Sequence, residues 1–183
     1  MNYIFAKCTS LKELPNISNW NLINVKSIDG LFFECLLLKE LPDISKWKMN
    51  NLESMWGLFY RCSSLEKFPG ISQWKTNKIK DLSFLLYECS SLKSLPDLSK
   101  WNTDNIENTA FLFGGCSSLK TLPNISKWNL FNDKNKPSLY HSLNNFINYS
   151  NKGLLTNIFI FESILNVHFK TTTQPLNSKY LRS

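Results

Sequence analysis

The residues with the greatest chemical potential in this sequence are its five cysteines, which recur every 27 residues. They are Cys8, Cys35, Cys62, Cys89 and Cys116. A thiolate can bind metal, attack an electrophile or enter a disulfide, but no Cys-x-x-Cys pair and no repeated histidine completes a tetrahedral zinc site. Because five thiols cannot all pair within one chain, we predict small buried structural thiols, no metal and a reducing compartment.

Acid–base and phosphate chemistry find less support. The two histidines, His141 and His168, have no carboxylate or serine partner in a recognisable nucleophile motif. The six glycines are scattered, so no phosphate-binding loop is formed. We therefore predict no catalytic residue, no cofactor and no enzymatic activity.

Tryptophan recurs at the same 27-residue interval as cysteine. Five of the six tryptophans share it: Trp20, Trp47, Trp74, Trp101 and Trp128. Such a ladder could form an aromatic platform for sugars or bases, but one large side chain per repeat at a fixed position favours a role in the core. Trp56 lies outside this register, which predicts an exposed ring on the convex side.

Lysine dominates the polar positions of the Leu-x-x-Leu segment, where side chains should point to an open face. The first column of this predicted binding face is Lys12, Lys39, Glu66, Lys93 and Lys120; the basic members of a second column are Lys46, Lys100 and Lys127. Such a ribbon could dock an acidic protein patch or an anionic glycan. The alternative is that these lysines only keep the surface soluble.

Composition limits the other functions. The chain has 183 residues, 21 Lys plus Arg against 14 Asp plus Glu, and 43% hydrophobic residues, which suits one folded domain. Residues 1–130 carry 15 basic and 12 acidic groups, a net charge of +3, so a nucleic-acid partner is not expected. The most apolar stretch, 154–169, is too short and too polar to span a membrane.

The 27-residue interval must also fix the elements that position these residues. Val25, Ile28, Leu31, Phe32 and Cys35 have apolar offsets of 0, 3, 6, 7 and 10, which predict a short α-helix. The segment 91–96 is apolar at intervals and stopped by proline, which predicts a brief strand. The sequence therefore predicts an α/β leucine-rich-repeat solenoid (horseshoe) with one short strand and one short helix per turn. The alternative is a three-sided β-helix with nine residues per side.

Three regions follow from this periodicity. Residues 1–132 are predicted to form five repeats, and residues 133–170 a degenerate sixth turn with a helical C-terminal cap. The cap prediction depends on the apolar spacing of Leu154, Ile158, Phe161, Leu165 and Phe169. Residues 171–183 are predicted to be a flexible tail.

The repeat also resembles a known family. Cys-Ser-Ser-Leu-Glu-Lys-Phe-Pro at 62–69 and Cys-Ser-Ser-Leu-Lys-Ser-Leu-Pro-Asp-Leu-Ser-Lys-Trp-Asn-Thr at 89–103 are similar to BspA-type leucine-rich repeats, in the 26/27-residue variant of mycoplasma lipoproteins and protist and fungal surface proteins. The resemblance covers about residues 1–130. It implies a binding scaffold, often surface-exposed or adhesive, and no catalytic site.

The predicted function is a non-catalytic leucine-rich-repeat scaffold for protein–protein or adhesive interactions, with an acidic protein as the expected partner and a glycan as a further one. The alternatives are an intracellular adaptor or substrate-recognition module, or a truncated fragment of a longer repeat array. No secretion or lipoprotein signal precedes the repeats, so the chain as it stands is predicted to be cytoplasmic. A cell-surface location is expected if the chain is an N-terminally truncated fragment. The sequence leaves the oligomeric state open.

Overall fold

A computed structural model describes residues 1–68, 70–125, 127–129 and Lys134. Within these residues the one helical element is a 3-10 helix at Ile71–Gln73, and no strand longer than an isolated bridge is formed. The predicted leucine-rich-repeat horseshoe, with one strand and one helix per turn, is therefore wrong. The predicted cap at 133–170 and tail at 171–183 lie outside the described residues, Lys134 excepted.

Each 27-residue repeat instead forms one coil that stacks on the next through backbone hydrogen bonds. The Phe5 N–H donates to the Leu31 carbonyl at 2.9 Å, and Phe32 donates to Leu58 at 3.0 Å. The same bond recurs at 3.0 Å and 3.1 Å in the next two coils. Three isolated parallel bridges also join successive coils, between Ser27 and Ser54, Ser54 and Asp81, and Asp81 and Asn108.

Successive tight turns replace the predicted helix. In residues 28–35, the Leu31 N–H donates to the Ile28 carbonyl three residues back, and Cys35 donates in the same way to Phe32. The intervening N–H groups of Gly30, Phe32 and Glu34 donate to the next coil, so none is available for an i to i−4 helical bond. Positive φ angles of 58° at Gly30 and 56° at Glu34 also exclude an α-helix.

The apolar spacing nevertheless retains its meaning. Ile28, Leu31, Phe32 and Cys35 are all fully buried, and Val25, at the start of the predicted face, is half-buried. Turns that advance three or four residues at a time return side chains to one face just as a helix does. The offsets therefore identified the buried face correctly but not the backbone conformation that creates it.

The predicted strand is absent because too few successive groups bond between coils. The Ser91 N–H donates to Ser63 of the previous coil, but the Leu92 N–H turns back to Cys89 of its own coil. Pro96 has no N–H to continue a ladder. The β-helix alternative is likewise absent from the described residues, although the coils share its use of hydrogen bonds between turns.

The tryptophan ladder forms one continuous column of the core. Neighbouring indoles lie nearly parallel, at 5–9°, with ring centroids 6.0–6.3 Å apart. Within the ladder, every indole after Trp20 is buried and donates its Nε1–H to the carbonyl 30 residues earlier, at 2.8–3.0 Å. The predicted core role is confirmed, and these buried indoles offer no platform for sugars or bases.

A column of alternating charge runs along the coils on the outside. Its members are Lys26, Glu53, Lys80, Glu107 and Lys134. Glu53 pairs with Lys26 at 3.9 Å and with Lys80 at 3.6 Å, and Glu107 pairs with Lys134 at 3.2 Å. These exposed pairs add little stability individually. Because the sign alternates, pairing a coil with the next coil but one would bring like charges together, so the column favours the correct order of coils.

We expect Trp74→Phe to lower the free energy of unfolding by about 1–2 kcal/mol, because it removes a buried hydrogen bond to Ile44 and part of a buried ring. The matched control is Trp20→Phe, since the Trp20 ring is half-buried and its indole N–H has no partner among the described residues. Urea unfolding of both variants measures the difference. Equal losses would show that the indole hydrogen bond contributes nothing.

Candidate binding surfaces

The lysine face predicted from the sequence is exposed. We use the name lysine face for Lys12, Lys39, Glu66, Lys93, Lys120, Lys46, Lys100 and Lys127. All seven lysines are exposed and Glu66 is half-buried. In the first column, the Glu66 N–H donates to the Lys39 carbonyl at 3.0 Å and the Lys120 N–H to Lys93 at 3.2 Å. The structure thus places these members side by side on successive coils.

Glu66 interrupts the positive charge of the first column. Its carboxylate lies 2.8 Å from the Lys93 ammonium. The hydrogen bond and charge of Lys93, with a smaller effect from Lys39, hold the pKa of Glu66 below its usual value. The column therefore carries four lysines and one carboxylate, and one of those lysines is already paired.

The carboxylates beside the lysine face differ from one lysine to the next. Lys12 and Lys39 are each followed by an exposed glutamate, whereas Lys93 and Lys120 are followed by serine and threonine. In the second column, Lys100 and Lys127 both act on Asp97, adding to the larger effect of its hydrogen bonds with Ser99 in lowering the pKa of that carboxyl. Among the lysines of the first column, Lys120 is therefore the one with neither an adjacent glutamate nor an ion pair within the described residues.

A second surface is aromatic, and most of it was missed by the sequence analysis. We call it the aromatic stripe: Tyr3, Phe33, Trp56, Tyr60, Phe84, Tyr87 and Phe111. Tyr3 is exposed and the other six side chains are half-buried. Each ring lies within 6.5 Å of another, so they form one continuous surface across five coils. Trp56, predicted to be exposed, is half-buried among these rings.

The rings of the stripe adopt two orientations. Phe33 and Tyr60 lie face to face, with centroids 4.5 Å apart and planes 4° apart, and Tyr87 continues this column at 5.1 Å. Phe84 and Phe111 are parallel to within 23° and 5.2 Å apart, but their planes are turned 68° and 90° from that of Tyr87. Phe84 and Phe111 therefore form a stacked pair of their own, turned edge-on to Tyr87.

Several stripe residues adopt a backbone conformation that favours glycine. Tyr3, Phe84 and Phe111 have φ angles of 59°, 57° and 54°, and the equivalent positions of the other two coils are Gly30 and Gly57. A left-handed conformation costs a side-chain-bearing residue roughly 1–2 kcal/mol. The Tyr3 ring also occupies the space above Gly30, since a Cβ there would lie 2.3 Å from Tyr3 Cε1.

The signal that could have identified the stripe is present in the sequence. Tyr3, Phe84 and Phe111 share one 27-residue register, and Phe33, Tyr60 and Tyr87 share another. Each register contains both phenylalanine and tyrosine and is interrupted by glycine, so a search for identical residues finds neither column. Scoring positions by aromatic class would have found both.

An ion-pair bridge borders the stripe. Arg61 lies 3.1 Å from Glu34 of the preceding coil and 3.0 Å from Glu88 of the following coil. The charge of Glu88, followed by the hydrogen bond to Glu34, raises the pKa of Arg61. Burial, with a smaller effect from Glu88, raises the pKa of Tyr87. The border therefore carries one positive and two negative groups.

The four later thiols are structural. Each Sγ lies 3.0–3.1 Å from the carbonyl 30 residues earlier, and Cys35, Cys62, Cys89 and Cys116 are buried. Burial raises the pKa of all four, to about 12 at Cys35 and Cys116. Cys8 is exposed, which corrects the prediction of a fully buried set.

No metal site is formed by the described residues, where no group of three or more His, Cys, Asp or Glu side chains could hold an ion. His141 and His168 lie outside them. The described part of the chain also contains no helix long and apolar enough to cross a membrane.

Comparison with known proteins identifies a family. A family model described as "Mycoplasma protein of unknown function, DUF285" matches residues 1–68 and 65–166. Neither a curated protein nor a solved structure matches the chain.

We expect one thiol, that of Cys8, to react with DTNB in the folded protein at pH 8, and all five to react in 8 M urea. The buried thiols react slowly because burial keeps them protonated and excludes the reagent. Absorbance of the released thionitrobenzoate counts the reacting thiols. Rapid reaction of two or more thiols in the folded state would contradict the buried ladder.

Proposed function

We propose that this chain, which belongs to the DUF285 family of mycoplasma proteins of unknown function, is a non-catalytic repeat scaffold that binds an acidic protein partner through the lysine face. The family supplies no activity, so the proposal depends on the geometry of the stack. It is supported above all by one observation: lysines at equivalent positions of four of the five described coils are exposed on one row.

We also assign the repeats to the BspA type. The Leu-Pro-x-Ile-Ser-x-Trp and Leu-Phe-x-x-Cys elements support this assignment, as does the match to a family of mycoplasma proteins. The assignment concerns the repeat sequence and the surface or adhesive role that it implies. It does not imply a strand or a helix in the described coils.

A stack of coils suits this role because it repeats one contact at a fixed interval. Neighbouring chains joined by backbone hydrogen bonds lie roughly 5 Å apart, so five coils present a row about 20 Å long. An acidic segment lying along this row would meet several ammonium groups at once. Rows of like charge attract an oppositely charged partner during diffusion and fix its orientation on contact.

The proposal requires that binding depend on the position of the lysines and not only on net charge. We expect Lys100→Glu combined with Lys120→Glu to weaken binding of fluorescently labelled poly-L-glutamate about tenfold, because both residues are exposed members of the lysine face. Neither lysine forms an ion pair within the described residues. Fluorescence anisotropy at low salt measures the dissociation constant.

The matched control is Lys48→Glu with Lys75→Glu, two exposed lysines outside the lysine face that produce the same change in net charge. We expect the control to retain most of the affinity. Equal weakening by both double variants would show that the attraction is non-specific and would exclude the lysine face as a binding site.

An intracellular adaptor is the second candidate, and the five free cysteines favour it, since unpaired thiols persist in reducing compartments. An antibody to the repeats separates the two roles when intact cells are treated with protease. Loss of the immunoblot signal supports surface display, and a signal that survives supports the adaptor.

A further inference from the structure

We infer that Glu66 is a specificity-determining residue of the lysine face, and that the face binds an extended acidic segment with one basic residue at its centre. This role of Glu66 rests on the proposed function, because it concerns the partner of the same face. Four of the five described coils carry an exposed lysine in the first column, and the third coil carries a carboxylate instead. A uniformly acidic segment lying along the column would therefore meet one group of its own sign.

The Glu66 carboxylate is charged and remains open to a partner. Lys93 lies 2.8 Å away, and its hydrogen bond and charge, with smaller effects from Lys39 and Lys67, hold the pKa of Glu66 below its usual value. The Glu66 side chain is nevertheless 44% exposed. Because a carboxylate has about four acceptor positions, the hydrogen bond with Lys93 leaves room for a second cation.

The residue that follows Glu66 shows that the position of the charge changes at this coil, and not its amount. The first two coils have the order Lys-Glu, at 12–13 and 39–40, whereas the third coil has Glu-Lys at 66–67. Each of these pairs has a net charge of zero, and all of their side chains are at least partly exposed. The exchange of order therefore moves positive charge out of the first column without removing it from the coil.

The spacing of the coils defines the register of the bound segment. Coils lie roughly 5 Å apart and an extended chain advances about 3.3 Å per residue, so Lys39 and Lys93 are about three partner residues apart. Lys12 and Lys120 are about six partner residues apart. A segment of about seven residues thus spans the column, with its ends over the lysines and its centre over Glu66. A basic residue at the centre gains an ion pair there, whereas an acidic residue is repelled.

The test uses two peptides of the same composition and net charge, acetyl-Glu-Glu-Gly-Lys-Gly-Glu-Glu-amide and its isomer acetyl-Glu-Glu-Gly-Glu-Gly-Glu-Lys-amide. Each competes with labelled poly-L-glutamate for the full chain at low salt, and fluorescence anisotropy measures the displacement. We expect the peptide with the central lysine to displace the label from the wild type at a concentration about fivefold lower than its isomer requires. The isomer places glutamate over Glu66 and lysine over a lysine.

Glu66→Lys should reverse this preference, because the central lysine of the peptide then faces a lysine. The matched control is Glu88→Lys, which makes the same change in net charge outside the lysine face. Glu88 also has a partly exposed side chain in an ion pair between coils, 3.0 Å from Arg61. We expect this control to retain the preference of the wild type. Thermal unfolding and the DTNB thiol count verify that both variants are folded.

The role of Glu66 is excluded if neither peptide displaces the label, or if both displace it equally from the wild type. It is also excluded if the preference survives Glu66→Lys, or if Glu88→Lys removes it. Lys100→Glu with Lys120→Glu distinguishes these results from failure of the proposed function. If that double variant binds poly-L-glutamate as tightly as the wild type, the lysine face and the role of Glu66 are both wrong. If it binds weakly while the isomers compete equally for the wild type, only the role of Glu66 is wrong.

Discussion

Backbone hydrogen bonding between successive coils is the constraint on which the rest of this structure depends. Alternate N–H groups of each turn segment, such as those of Gly30, Phe32 and Glu34, donate to the coil that follows. One inserted residue would move every later donor away from its acceptor. Cysteine, tryptophan and proline recur at an unbroken 27-residue interval because donors and acceptors of successive coils must stay in register. Regular strands and helices are not needed, because turns satisfy the remaining backbone groups within each coil.

The same constraint decides which side chains are neighbours. Equivalent residues of successive coils lie directly above one another. Apolar residues of one type therefore stack on each other, as the indoles and the Phe5, Phe32 and Phe59 rings do. Charged residues in one column would repel each other. The chain meets this problem in two ways: signs alternate between Lys26, Glu53 and Lys80, and like charges remain only where the lysines are exposed.

The turns that carry these hydrogen bonds also create the aromatic stripe. Each coil places two residues in the left-handed region, and seven of the ten are not glycine. Three of the seven, Glu34, Arg61 and Glu88, join in ion pairs between coils, while Tyr3, Phe84 and Phe111 supply rings to the stripe. Strained positions and exposed functional groups therefore coincide on one side of the stack, as is common where a surface has a role beyond stability.

By itself the sequence determined the repeat length, the buried face, the core position of the tryptophans and the exposure of the lysines, because each depends only on which residues recur at 27-residue intervals. It could not determine the backbone. Offsets of 0, 3, 6, 7 and 10 fit both a helix and a run of turns, and the choice depends on whether an N–H finds its acceptor within its own coil or in the next one. The aromatic stripe was likewise decided by tertiary structure. Phe84 and Tyr87 become neighbours of Trp56, Tyr60 and Phe111 only when three coils are stacked, and the angles between their rings are set by that stacking.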